Sequence, residues 1–420
     1  MPFACEFLRF VCSCPSSDAL DDTIALSSQE NFTPMDLHPL HPLHEQAEAS
    51  FLAYGPDLQI VESYGEAEAE YAAIRKAAAL MDAPHRSVII LTGKDRLTFL
   101  HNKVTNDTSK LAPGTGCYAY LLNLKGRIIA DLNILHSEDA TLLETDARLV
   151  TGLVASFEKY IFTEEVRVLS GAQQLGRLTL LGPRAADLLK QVLDAGVENL
   201  NAPLSHAKRL LGKWTITLFR NDLAGEPQYE LIVPRDALVS LWQILHEAGR
   251  AASGEGAVPE ARWLRAIGWS AFNTARIEAG SPLYGIDITE NHLPMETAHW
   301  YPRAVCVTKG CYLGQEIVAR MHAHNTVARL LVGLKMEEAR LPVAATEVFD
   351  PAAGGGGQQV GMITSSTMSP MLGNVPIALA YVKRACALPG RSLEVLAEGS
   401  REKASVVPLP FWPTPAPAAK

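Results

Sequence analysis

Short apolar runs of strand type, each bordered by a single run of helix type, fill residues 84–234 without a regular strand–helix–strand beat. This irregular alternation constrains the fold more than any other feature, because a doubly wound parallel sheet needs a helical crossover between successive strands. "RSVIILTG" (86–93) reads as a strand, and "KDRLTFLHNKV" (94–104) as an amphipathic helix with Leu97, Leu100 and Val104 at spacings of three and four. "CYAYLLNL" (117–124) and "RIIADLNIL" (127–135) read as two strands turned by Lys125 and Gly126. Farther on, "LVTGLVASFEKYIF" (149–162) suggests a helix and "LGRLTLLG" (175–182) a strand. "PRAADLLKQVL" (183–193) then reads as a helix opened by Pro183, and "WTITLFRND" (214–222) and "YELIVP" (229–234) as strands. No GxGxxG is present, so α+β layers are expected rather than a Rossmann domain.

Two segments flank this region with a different character. "EAEAEYAAIRKAAALMDAP" (66–84) has the Ala, Glu, Lys and Leu content of one helix, ended by Pro84. From about Arg329, "RLLVGLKM", "TEVFD", "QQVGMITSS" and "IALAYVKR" are short strands separated by Gly, Pro and Ser turns, the pattern of a small antiparallel barrel, with "AAGGGGQQ" (352–359) as a flexible hairpin loop. The expected division is an extension over 1–48, two α+β subdomains over 49–328, a barrel over 329–408 and a Pro-rich tail over 409–420. The extension is read as disordered: it is rich in Ser, Asp and Pro and lacks periodicity. Its "HPLHPLH" would line His38, His41 and His44 along one edge of a polyproline II helix, as a metal-holding edge or, more simply, a solvated linker. A start assigned upstream of the real one would also explain this segment, whose first residues lack the basic region and cleavage site of a signal peptide.

Charge and cysteine usage exclude some functions. With 420 residues and a net charge of -9, the chain lacks the Lys/Arg excess that bulk binding to nucleic acid requires. No apolar run approaches the roughly 20 residues of a membrane-spanning helix. The seven cysteines, at 5, 12, 14, 117, 306, 311 and 386, show neither a disulfide framework nor paired CxxC, which fits reduced thiols and a cytoplasmic location. No metal-ligand set can be assigned from spacing.

The chemistry concentrates in "KGCYLGQE", residues 309–316. Gly310 and Gly314 suit a shaped loop, and "GQEIVARM" could open a helix. Cys311 would then lie before a helix N-terminus and two residues from Lys309, both of which favour the thiolate. The alternative is a small buried Cys311 with Lys309 and Glu316 merely paired. Glu230, in "EPQYELIVPRD", is a carboxylate amid apolar strand residues and needs a partner. It could accept two parallel N–H bonds from a guanidine-like ring edge such as that of a pterin, or close an internal salt bridge. Arg276, in "ARIEAGSPLYGID", could clamp a carboxylate or hold the loop that follows.

Taken together, "KGCYLGQE", "RIEAGSPLYGID" (276–287), "YELIVP", "GCYAYLLNLKGRIIADLNIL" (116–135) and "QQVGMITSSTMSP" resemble the YgfZ family, folate-binding proteins similar to the T protein of the glycine cleavage system. The resemblance runs over roughly residues 60–390. It implies a three-domain cloverleaf, with two α+β domains and a C-terminal antiparallel barrel around a channel that holds tetrahydrofolate. It also implies a function in assembly or repair of iron–sulfur clusters in client enzymes, with at most transient contact to a cluster and with folate and iron–sulfur or assembly proteins as partners. Folate-dependent aminomethyl transfer is the alternative. Carried over by position, Glu230 is the pterin-binding glutamate. Arg276, Tyr312 and Gln315 complete the implied folate contacts, and Cys311, Lys309 and Asp131 are the implied reactive set. Where T-protein relatives read Asp-Asp, this chain has Ala130-Asp131, and that loss of an acid counts against aminomethyl transfer.

Overall fold

Side chains alternate between the two faces of a strand, and here that alternation separates apolar cores from a polar seam. In the computed structural model, which describes residues 38–254, 263–353 and 357–412, a first sheet has six strands. Their spatial order is His206–Leu211, Trp214–Arg220, Gln228–Pro234, Leu175–Leu181, Ala78–Asp82 and Leu264–Ala266. Neighbours are antiparallel except the last pair. Tyr229, Leu231, Val233, Leu178 and Leu180 point to one face, where the helices Ala185–Val192 and Leu238–Ser253 cover them. Arg177, Thr179, Gln228 and Glu230 alternate with these residues and face the other way.

A second sheet of five strands runs Thr115–Leu122, Ile128–His136, Thr141–Asp146, Arg86–Thr92 and Arg167–Ser170. Ile89, Leu91, Ala130, Leu132, Ile134 and Leu143 bury one face against the helices Arg96–His101 and Val150–Glu158. Arg86, Asp131, Asn133 and Glu144 lie on the opposite face. The polar faces of the two sheets meet, sealed beside the charges by Val88, Tyr118, Leu135, Phe219 and Ile232, which belong to one apolar cluster drawn from both sheets.

The third unit is a closed six-stranded antiparallel barrel, Arg329–Met336, Val375–Lys383, Gln358–Ser369, Glu347–Asp350, Ser392–Ala397 and Ser400–Val407. Val332, Leu334, Ala378 and Ala380 fill its interior, while Leu331, Ile377, Leu379 and Tyr381 pack outward against Ile277. The α+β reading with a C-terminal barrel therefore holds. Because Val375–Lys383 is buried on both faces, it reads as a continuous apolar run rather than an alternating one.

Local readings are corrected at three places. The single helix expected over 66–84 is a helix only over Ala67–Lys76; Ala78–Asp82 is a fully buried strand between Leu175–Leu181 and Leu264–Ala266. Alanine's helix preference is worth only tenths of a kcal/mol per residue, and burial between two strands overrides it. The extension is structured where it is described: His41–Gln46 is a helix with Pro in its first turn, and the imidazole of His44 is buried against Asp82, Tyr64 and Trp242. His38 also reaches Asp82, at 3.2 Å, whereas His41 pairs with Glu45, so no three-histidine edge forms. Residues 1–37, with Cys5, Cys12 and Cys14, and residues 354–356 of the glycine loop lie outside the described residues. The start of the Pro-rich tail is seated on the barrel: Leu409 and Phe411 lie against Gly333, and the Phe411 amide donates to the Glu278 carbonyl. Its remainder, 413–420, lies outside the described residues.

Candidate active site

The seam between the sheets opens into a narrow cavity of about 40 Å³ lined by residues of both sheets. Asp131, Glu144 and Glu230 line it together with Arg86 and Arg177. On the second sheet, Arg86 makes a two-point contact with Glu144, Nε to Oε1 at 2.7 Å and Nη2 to Oε2 at 2.9 Å, and reaches Asp131 Oδ1 at 3.3 Å. Arg177, from the first sheet, donates to Glu144 through Nη1 and to Glu230 Oε2 through Nη2, the latter at 2.6 Å. Carboxylate and guanidinium thus alternate across the seam: Asp131, Arg86, Glu144, Arg177, Glu230.

Burial and charge divide these acids. Burial alone would raise the Glu144 pKa, but the guanidiniums of Arg177 and Arg86 and the Asn133 amide hold it at about 2. Asp131 goes the other way. Its burial outweighs the attraction of Arg86, Glu144 and Asp146 repel its charge, and its pKa is raised. Asp131 is held loosely, with Tyr118 Oη as far from Oδ2 as Arg86 is from Oδ1, 3.3 Å. A buried acid with raised proton affinity and long hydrogen bonds is suited to hold or exchange a proton with a ligand beside it.

Glu230 is better satisfied. Thr179, directly opposite in register, donates to Oε2 at 2.6 Å, as Arg177 does, and Gln228 Nε2 donates to Oε1 at 2.6 Å. Of the roughly four acceptor positions of a carboxylate, one remains, on Oε1. The internal salt bridge, one of the two alternatives open in the sequence, is therefore present, and one acceptor position stays free beside it. Three other lining residues carry a buried polar atom without a partner: His85 Nδ1, Asn133 Oδ1 and Arg177 Nε. Burial and the neighbouring Arg86 and Arg177 push the His85 pKa down to about 3, so its imidazole is neutral.

The remaining sequence candidates lie outside the lining of this cavity. Arg276 is wholly buried elsewhere, with Nε on Asn273 Oδ1 at 2.9 Å, Nη1 on Asp287 and the Ser281 carbonyl, and Nη2 on Ser365 Oγ of the barrel at 2.7 Å. Its role as a folate contact is corrected, since every arm of the guanidinium is taken, Nε by its own helix and the two terminal nitrogens by the loop that follows and by the barrel. Lys309 is corrected likewise. Its ammonium donates to the carbonyls of His101, Val104 and Asn106, and burial lowers its pKa to about 8. It pairs with neither Glu316 nor the Cys311 thiol, which is exposed. Tyr312 lies under the Lys309 ammonium, 4.9 Å from its ring centre, and Gln315 begins the helix Gln315–His324. Gly314 has φ +76°, and a Cβ there would lie 2.5 Å from the Asn123 carbonyl, so this glycine seats the 122–128 hairpin against the helix start. Gly310 meets no such constraint.

Sequence reasoning missed Arg86, Glu144 and Arg177. The signal that marked Glu230, a charge within an apolar strand, was also present in "RSVIILTG", "TLLETD" and "LGRLTLLG".

Comparison with known proteins gives this geometry a family. The model of the GCVT N-terminal domain matches residues 40–300, and that of the glycine cleavage T-protein C-terminal barrel domain matches 329–413. The chain belongs to the glycine cleavage T-protein family. Two of its relatives in that family are the aminomethyltransferases of Chlorobium phaeobacteroides, 29% identical over 384 residues (89% of this chain, 98% of that protein), and of Symbiobacterium thermophilum, 30% identical over 388 residues (90% and 97%). The crystal structure of glycine cleavage system aminomethyltransferase T from Bartonella henselae superimposes with a TM-score of 0.78 at 27% identity, covering 90% of this T-protein family chain and 98% of its own.

These relatives overturn the iron–sulfur reading. Proteins similar to this chain over about nine-tenths of its length are named aminomethyltransferase, which favours the alternative reading over cluster assembly. The narrower YgfZ assignment is not carried by these matches. No helix among the described residues is long and apolar enough to cross a membrane.

Proposed function

We propose that this protein is a folate-dependent aminomethyltransferase, with Glu230 orienting the pterin ring of tetrahydrofolate and Asp131 placed at the reacting nitrogen. One observation carries the reading: strands of two different sheets bring Asp131 and Glu230 into the same cavity. The donor set fits a flat heteroaromatic ligand. Glu230 Oε1 and Asn133 Oδ1 offer acceptor positions and Arg177 Nε a donor, all buried. Tetrahydrofolate supplies the nitrogens that accept the one-carbon unit. The chain's own part is to exclude water from the seam, orient the ring through Glu230 and hold a proton on Asp131.

The departure at Ala130 weighs less than it did in the sequence. Ala130 is fully buried in the apolar cluster under the second sheet, on the face opposite Asp131. The missing acid would therefore point into a hydrophobic core rather than into the cavity.

The test is methylene transfer to tetrahydrofolate from an aminomethyl group carried on a lipoyl protein. Wild type should turn over, and Asp131→Asn should lose roughly 10²–10⁴-fold in kcat. Glu230→Gln should act on tetrahydrofolate binding. A wild-type protein that binds tetrahydrofolate but transfers nothing would refute the enzymatic reading.

A further inference from the structure

Three guanidinium groups line the cavity, and two of them are committed to carboxylates: Arg86 to Glu144 and Asp131, Arg177 to Glu144 and Glu230. The third, Arg303, forms no ion pair among the described residues. Its guanidinium lies 4.6 Å from the ring centre of Trp300 and 5.6 Å from that of Tyr118, both also in the lining, and its hydrogen bond is from Nη2 to Asn221 Oδ1 at 3.2 Å. Asp222, whose charge Arg303 feels, is itself bound to Arg220. Burial accordingly lowers the Arg303 pKa, as expected of a cation taken from water without a counter-ion.

Stacking on two aromatic rings offsets about 0.5–2 kcal/mol of that cost, but a planar guanidinium fork also has a preferred partner, a carboxylate bound at two points. The cavity is polarised as well. Asp131, Glu144 and Glu230 outnumber the two guanidiniums between them, while Arg303 presents positive charge to the same space.

We infer that Arg303 is the carboxylate-anchoring residue of the cavity, so that the ligand is a bipolar molecule with an N–H-rich ring at Glu230 and an acid group at Arg303. This rests on the pterin-binding reading of Glu230 and adds to it the chemistry of the ligand's other end. Tyr118 and Trp300, whose rings also meet each other edge to face, form the aromatic corner against which the Arg303 guanidinium lies.

Isothermal titration separates the two readings. Tetrahydrofolate carries carboxylates and 6-methyltetrahydropterin has the same reduced ring without them, and each is titrated into wild type, Arg303→Gln and Glu230→Gln. Arg303→Gln should weaken tetrahydrofolate about 10- to 100-fold, as expected for a lost charged hydrogen-bonded contact, and leave the pterin within a few-fold of wild type. Glu230→Gln should weaken both ligands. Equal losses for both ligands in Arg303→Gln, or no loss for either, would overturn the inference while a Glu230→Gln defect kept the pterin reading intact. If wild type binds neither ligand, both readings fall. Should Arg303→Gln not fold, Arg303→Lys keeps the charge without the fork, and the same ratio of the two affinities decides.

Discussion

Arg276 separates the folate-contact role implied by resemblance from the structural role found in the fold, and its substitution gives opposite results under the two. Arg276→Met removes a fully buried guanidinium that bonds Asn273, the Ser281 carbonyl, Asp287 and Ser365. Asp287 would keep the hydroxyls of Thr364 at 2.6 Å and Ser365 at 2.5 Å and the Leu283 amide at 3.0 Å, but it would lose its cationic partner at 0% exposure. Stranding one member of a buried ion pair costs about 3–5 kcal/mol. In a chain of this size that lowers the melting temperature by on the order of 5–10 °C. Urea titration followed by tryptophan fluorescence measures the loss, and tetrahydrofolate titration of the folded variant measures binding. Unchanged stability with folate binding abolished would refute the structural assignment and restore Arg276 to the ligand.

Three further outcomes follow from the same geometry. Acid should destabilise the fold in two overlapping windows. His85, neutral with a pKa near 3, contributes stability present above its ordinary 6.5 and lost as pH falls toward 3, and Glu144, at about 2, contributes stability lost between 4.5 and 2. The Glu144 shift corresponds to roughly 3 kcal/mol, and His85→Asn should flatten the upper part of a stability–pH curve; an unchanged curve would contradict the assignment. Restoring the acidic pair with Ala130→Asp should destabilise by about 3 kcal/mol or more without raising one-carbon turnover, because the new carboxylate enters an apolar core. A gain in turnover at wild-type stability would show that this position reaches the cavity. Lys309→Met should cost roughly 2–4 kcal/mol by stranding three carbonyls and leave the alkylation rate of Cys311 unchanged. A fall in that rate would show that the ammonium activates the thiol.

By itself, the sequence determined the class of the fold and marked Glu230 as a strand carboxylate that must find a partner. Period-two and period-3.6 patterns are local, and a charge inside an apolar strand must be met by something, so the barrel after Arg329, the 115–136 hairpin and Glu230 were legible from residues alone. What the sequence could not supply was which charges meet across the seam. Glu144 and Arg177 are 33 residues apart and belong to different sheets, and their contact exists only because those sheets pack face to face. The same packing reassigned the most conspicuous motif residues. Lys309 turned inward to three carbonyls and Arg276 to the barrel, since a buried cation takes the nearest complete set of acceptors whatever its neighbours in the chain. The pleat decided the last point. Adjacent residues of one strand face opposite ways, so Asp131 reaches the cavity and Ala130 the core.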